Sequence, residues 1–129
     1  MKNDNPLVRL QGFGQSVWLD YMRRGMLTSG DMARLIAQDG LAGMTTNPAI
    51  FEDAITRHHE YDAPIRALAL EGMGVAAIYE TLVVEDVSRA ADLLRPTYER
   101  TGGHDGYVSL EVTPHLAHDT EATIVEGQR

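Results

Sequence analysis

The chain has 129 residues, 43% hydrophobic and 23% charged, and no cysteine; this fits one soluble-type domain and excludes disulfide frameworks, thiolate metal sites and cysteine nucleophiles. Nineteen acids against eleven bases give a formal charge of −8, which leaves no continuous basic stripe to follow a phosphate backbone, so nucleic acid is not an expected partner. The bases are uneven: every one is arginine except Lys2.

No apolar run approaches the roughly 20 residues that span a bilayer, and the opening MKNDNPLVRL lacks a signal-peptide core. A cytoplasmic protein without a membrane partner is therefore the expectation. In chain order, residues 11–15 (QGFGQ) read as a turn into a first strand at residues 16–20 (SVWLD). A polar turn follows, then a helix over residues 28–39 with Met32, Leu35 and Ile36 at helical spacing and Gly40 placed as its C-cap. Residues 41–46 (LAGMTT) form a second strand. Asn47-Pro48 then starts a helix carrying Ile50, Phe51 and Ile55, because Asn caps well and Pro suits the first helical position.

The middle reads as helix over residues 61–71 and again over residues 75–94. In the second helix Tyr79, Val83, Val87, Ala90 and Leu94 make one stripe, with Glu80, Glu85 and Asp92 facing away. Pro96 is expected to interrupt it. The third strand is residues 106–112 (GYVSLEV), and Asp119 caps a last helix in which the chain is expected to have been cut. Alternating strand and helix predicts an α/β fold with parallel strands, either doubly wound or part of a (β/α) barrel.

Side-chain alternation puts Trp18 with Asp20, Thr45 with Asn47, and Ser109 with Glu111 on one face of each strand. In a barrel that face lines the lumen, and the carboxyl ends of strands build the active site. Asp20 and Glu111 fit either a carboxylate pair for acid/base work or two solvated loop acids. Asn47 is a helix cap or a substrate ligand; Thr45 and Thr46 hold a substrate hydroxyl or are ordinary strand residues. His115, His118 and Asp119 near Glu111 have ligand-capable side chains, but no second cluster supports them, and no metal is expected. His58-His59 reads as surface, and Gly72-Met73-Gly74 and Gly102-Gly103 lack the setting of a phosphate loop.

The segment GMTTNPAIF, residues 43–51, resembles the transaldolase signature, and the similarity extends through NPLVRLQGFGQSVWLDYMRRGMLTSGDMARLI and DGYVSLEVTPHLAHDTEATI. It is strongest toward transaldolases that carry this NPL segment and sometimes occur fused to a glucose-6-phosphate isomerase. The resemblance implies a (β/α)8 barrel, of which residues 1–129 form the N-terminal part with about three strands and their helices. It also implies transfer of a dihydroxyacetone unit from sedoheptulose 7-phosphate to glyceraldehyde 3-phosphate through a Schiff base, in the pentose phosphate pathway, with sugar phosphates as partners and no cofactor. Carried over residue by residue, Asp20 of WLD contacts substrate hydroxyls and moves protons. Asn47 of TTNP binds the dihydroxyacetone unit beside Thr45, and Glu111 of SLEV acts through a water as general acid/base. Thr113 departs from the pattern, standing where the family usually has an acid.

A Schiff base needs an amine, which the family supplies from a fourth-strand lysine. No lysine is available on any expected strand of this chain, and an eight-stranded barrel takes about 250 residues. The isolated chain is accordingly expected to be inactive. The alternative is a non-catalytic, truncated barrel module that binds a partner or forms a homo-oligomer through exposed strand edges.

Overall fold

The computed structural model describes residues 5–129, and Lys2 lies outside the described residues. Three parallel strands, β1 (Val17–Asp20), β2 (Leu41–Thr45) and β3 (Tyr107–Ser109), lie side by side in chain order. Helix α1 (Pro6–Gln11) precedes β1, and α2 (Arg24–Thr28) and α3 (Asp31–Asp39) join β1 to β2. Helices α4 (Pro48–Arg57), α5 (Asp62–Leu70) and α6 (Val75–Arg100) join β2 to β3, and α7 (Thr120–Gln128) follows β3. Short 3-10 turns occupy His59–Tyr61 and Pro114–Leu116. The parallel α/β fold class expected from the sequence is the one observed, as a three-stranded parallel sheet whose strands are joined through helices.

The punctuation residues act as their chemistry requires. Gly40 ends α3 in the left-handed region at φ +70°, its N–H donating to the Leu35 carbonyl. Asn47 accepts the Ile50 N–H at 2.9 Å, and Asp119 accepts that of Ala122 at 2.9 Å. Gly106, at φ +94°, lies so close to the Tyr98 backbone that no Cβ fits, and it donates its N–H to the Ala42 carbonyl at 2.7 Å. That bond brings the chain alongside β2 as β3 begins.

The sheet has two unlike faces. Leu19, Met44 and Val108 are register neighbours across the three strands and pack toward the helices, among Met22, Met26, Met32, Phe51, Val83, Ala90 and Leu94. Each fully buried chain of this size stabilises the fold by ~1.5–3 kcal/mol. Trp18, Gly43 and Tyr107 form a row on the other face, where Trp18 and Tyr107 stay 38% and 45% exposed and the indole lies over Gly43. A Cβ at Gly43 would overlap that indole.

Four expectations need correction. Arg23-Arg24 does not open a purely polar turn: Arg24 starts α2 and is buried with Met26 and Leu27, and the next helix begins at Asp31 rather than Thr28. Pro96 does not interrupt α6, which continues to Arg100; burial of Leu94 and Thr97 on either side holds the turn despite the missing N–H. The buried line of α6 contains Ile78, Leu82 and Asp86, whereas Tyr79 is 37% exposed. β3 pairs only over Tyr107–Ser109, so the residues from Leu110 to Val112 lie past the ladder.

Candidate active site at the carboxyl ends of the strands

Parallel pairing aligns Asp20 with Thr45 and Thr45 with Ser109, forming one polar row at the carboxyl ends of the strands. Within it the Thr45 hydroxyl donates to Asp20 Oδ1 at 2.7 Å. Asp20 is exposed and Thr45 half-buried, so one carboxylate is fixed in direction while its second oxygen remains open. Thr46, on the opposite side of the backbone, is buried and donates its hydroxyl to the Ser109 carbonyl at 2.8 Å. It stitches β2 to β3 where the ladder ends.

Asn47 and Glu111 each stand two residues beyond this row. The Asn47 side-chain oxygen is committed to the cap of α4, leaving its amide N–H groups free to donate. Glu111 is exposed and borders a cleft of about 490 Å³ lined also by Pro48, Tyr79, Val83, Leu110 and Thr113. Burial raises the pKa of Tyr79, whose ring meets Phe51 edge-on at 6.4 Å between centroids. Strand alternation alone leaves the relative heights of Asp20, Asn47 and Glu111 open; the register pairs Asp20 with Thr45 and Thr45 with Ser109, so Asp20 stands one layer below the other two. β2 lies between β1 and β3, so the strands that lead to Asp20 and Glu111 are not neighbours but two strand spacings apart, roughly 10 Å.

Two further groups escaped the sequence reading. Tyr79, expected in the apolar stripe of α6, lines the cleft beside Glu111. Asp86 is fully buried and faces Arg24 and Tyr61. A helical-wheel reading could have found it, because an acid at the four-residue spacing Leu82, Asp86, Ala90 interrupts an apolar line. Asp86 is pulled both ways: burial raises its pKa, the Tyr61 hydroxyl and Arg24 lower it, and burial prevails. For Arg24, burial opposes the charge, and Asp86 and Glu85 more than offset it, so its pKa rises. Burial, followed by the nearby Asp86 charge, pushes the Tyr61 phenol well above its ordinary value. His59 pairs with Asp62 on the surface, as expected, whereas His58 Nδ1 accepts from the Arg23 guanidinium at 3.3 Å. Among the described residues no three His, Asp or Glu side chains converge as a metal ion would require.

A parallel α/β sheet with a carboxylate, hydroxyls and an amide gathered at the carboxyl ends of its strands is the arrangement by which barrel enzymes of this class bind and act on polar substrates. The family model described as Transaldolase/Fructose-6-phosphate aldolase matches residues 17–129. The chain belongs to that family. It is 46% identical to Transaldolase 2 of Nostoc punctiforme over 125 residues, 97% of this chain and 33% of that protein. It is 48% identical to Transaldolase 1 of Streptomyces avermitilis over 123 residues, and 45% identical to the Transaldolase of Trichodesmium erythraeum over 125. The chain thus spans about a third of the length of these relatives.

Proposed function

We propose that these residues are the acid/base and hydroxyl-binding part of a transaldolase, which moves a dihydroxyacetone unit from sedoheptulose 7-phosphate to glyceraldehyde 3-phosphate. The observation that carries this reading is the Thr45–Asp20 hydrogen bond at 2.7 Å in the polar row closing the sheet, with Asn47 and Glu111 one layer above it. Thr45 spends its proton on Asp20 and keeps its lone pairs for a substrate hydroxyl. Asp20 keeps one oxygen open for proton transfer. Asn47 has amide N–H groups left to donate to the ketose, and Glu111, without a side-chain hydrogen bond among the described residues and open to the cleft, can hold the water through which it exchanges a proton.

In this reading residues 1–129 supply the first three strands of the barrel, and the amine that forms the Schiff base comes from a lysine in the part they do not cover. The isolated chain is then inactive. Two experiments test the proposal. Joining the chain to the remaining two-thirds of the Nostoc punctiforme relative should restore dihydroxyacetone transfer, and Asp20→Asn or Glu111→Gln should each lower kcat by about 10²–10⁴-fold. A folded, active chimera indifferent to both changes would overturn the roles assigned here. Incubating the isolated chain with fructose 6-phosphate and borohydride should give no three-carbon adduct apart from chance reaction at Lys2 or the α-amine; an adduct elsewhere contradicts the missing nucleophile.

A further inference from the structure

α2 is only five residues long and has no side-chain cap of its own from Arg23. Its first N–H groups are instead met by residues far along the chain. Arg24 N–H donates to the Tyr61 hydroxyl at 3.0 Å, and Gly25 N–H donates to Glu60 Oε2 at 2.9 Å. The guanidinium of Arg24 then donates to Asp86 at 2.8 Å and to Glu85 at 2.8 Å, while the Tyr61 hydroxyl donates to the other Asp86 oxygen at 2.9 Å. Asp86, Tyr61 and Arg24 are buried, at 0%, 0% and 8% exposure. Met22, fully buried, fixes the same turn from the core side.

The turn held in this way is the one that leaves Asp20. Only Tyr21, Met22 and Arg23 separate that carboxylate from Arg24, so the chain is pinned on one side by the β1–β2 ladder and on the other by the buried cluster. A short helix that borrows its cap from the 3-10 turn at His59–Tyr61 and is tied to α6 through the Arg24 side chain has no reason to hold its place alone. We propose that Arg24, Tyr61 and Asp86 are positioning residues for Asp20: they fix the exit turn of β1 against α6 so that the carboxylate stays aligned with Thr45. The role rests on the reading of Asp20 as the site acid, but its test does not use activity.

The test is NMR on the isotope-labelled chain, reading the Asp20 carboxyl carbon signal and the amide order parameters of Tyr21, Met22 and Arg23. Tyr61→Phe keeps the ring and removes the hydroxyl; Asp86→Asn keeps the shape and removes the charge. Both should move the Asp20 signal and lower the three order parameters from a rigid value of about 0.85 toward 0.6, with the Glu111 carboxyl signal unchanged. Leu93→Ala, which trims the core elsewhere on α6, should leave all of these readings in place. Folded Tyr61→Phe protein with an unmoved Asp20 signal and rigid amides would overturn the proposal, as would an equal change in Leu93→Ala. If Asp86→Asn fails to fold, Tyr61→Phe decides. Loss of the catalytic reading through an indifferent Asp20→Asn chimera would leave these signals as they are, so the two failures are distinguishable.

Discussion

The exit of β1 and the exit of β3 carry the two candidate acids and are built in opposite ways. After Asp20, the buried Met22, the Arg23 contacts with His58 and Glu60, and the bonds of Arg24 and Gly25 tie successive residues to elements between residues 58 and 86. After Glu111, the main tie is one bond, from Thr113 N–H to Glu126 Oε1 at 2.9 Å, before the 3-10 turn at Pro114–Leu116. Both acids sit at the carboxyl end of a parallel strand, yet among the described residues the turn after Asp20 is the one fastened by buried charge and side-chain capping. Strand position therefore gives a residue its address, while its rigidity comes from what its exit loop is fastened to.

The sharpest way to break the contrast is to remove the buried anchor. Asp86→Ala leaves the Arg24 guanidinium and the Tyr61 hydroxyl buried without their shared acceptor; stranding one partner of a buried ion pair costs ~3–5 kcal/mol. Urea unfolding should show the loss as a lowered midpoint, and a loss under ~1 kcal/mol would mean that water or Glu85 replaces the anchor. Next in size is Gly43→Val. The new side chain would overlap the Trp18 indole on the open sheet face, and overpacking of this kind costs ~1–3 kcal/mol. Trp18 is the one tryptophan, so its emission should shift in the variant while the midpoint falls.

These two sites also mark what the sequence made legible. The three strands, the Asn47 and Asp119 caps and the Gly40 terminus follow from local chemistry and were readable, as was the face shared by Asp20 and Thr45. The reach of α6 through Pro96 was not, because tertiary burial of Leu94 and Thr97 outweighs a local rule. Arg24 and Asp86 stand 62 residues apart, and charge in the sequence signals solvent until a partner is known. The stagger between Asp20 and Glu111 was hidden for a related reason: alternation fixes which face a side chain takes, but register between strands is set by packing across the sheet.

A smaller effect distinguishes the buried anchor from a surface ion pair by pH. Tyr61 stays neutral in the folded chain well above its ordinary value because it is buried and faces Asp86. An unfolded tyrosine ionises near pH 10, so the stability Tyr61 contributes is whole below about pH 10 and is lost as pH rises from there toward the folded value. By pH 11 the wild-type chain should have lost about 1 kcal/mol that Tyr61→Phe, though less stable at pH 7, does not lose. Parallel urea midpoints of the two proteins between pH 9 and 11 would contradict this.

The smallest expected effect belongs to the β3 exit. Glu126→Ala removes the acceptor of the Thr113 N–H, but both ends of that bond are only half-buried, and water can take the vacant place. The global midpoint should therefore move by no more than ~0.5–1 kcal/mol. Exchange of the Thr113 amide should nevertheless quicken about fivefold, the equivalent of 1 kcal/mol, since opening of this segment is governed locally rather than by global unfolding. A large fall in the global midpoint would show the β3 exit to be as firmly anchored as that of β1. The contrast would then lie in what each carboxylate touches, Asp20 being fixed by the Thr45 hydroxyl, with rigidity common to both.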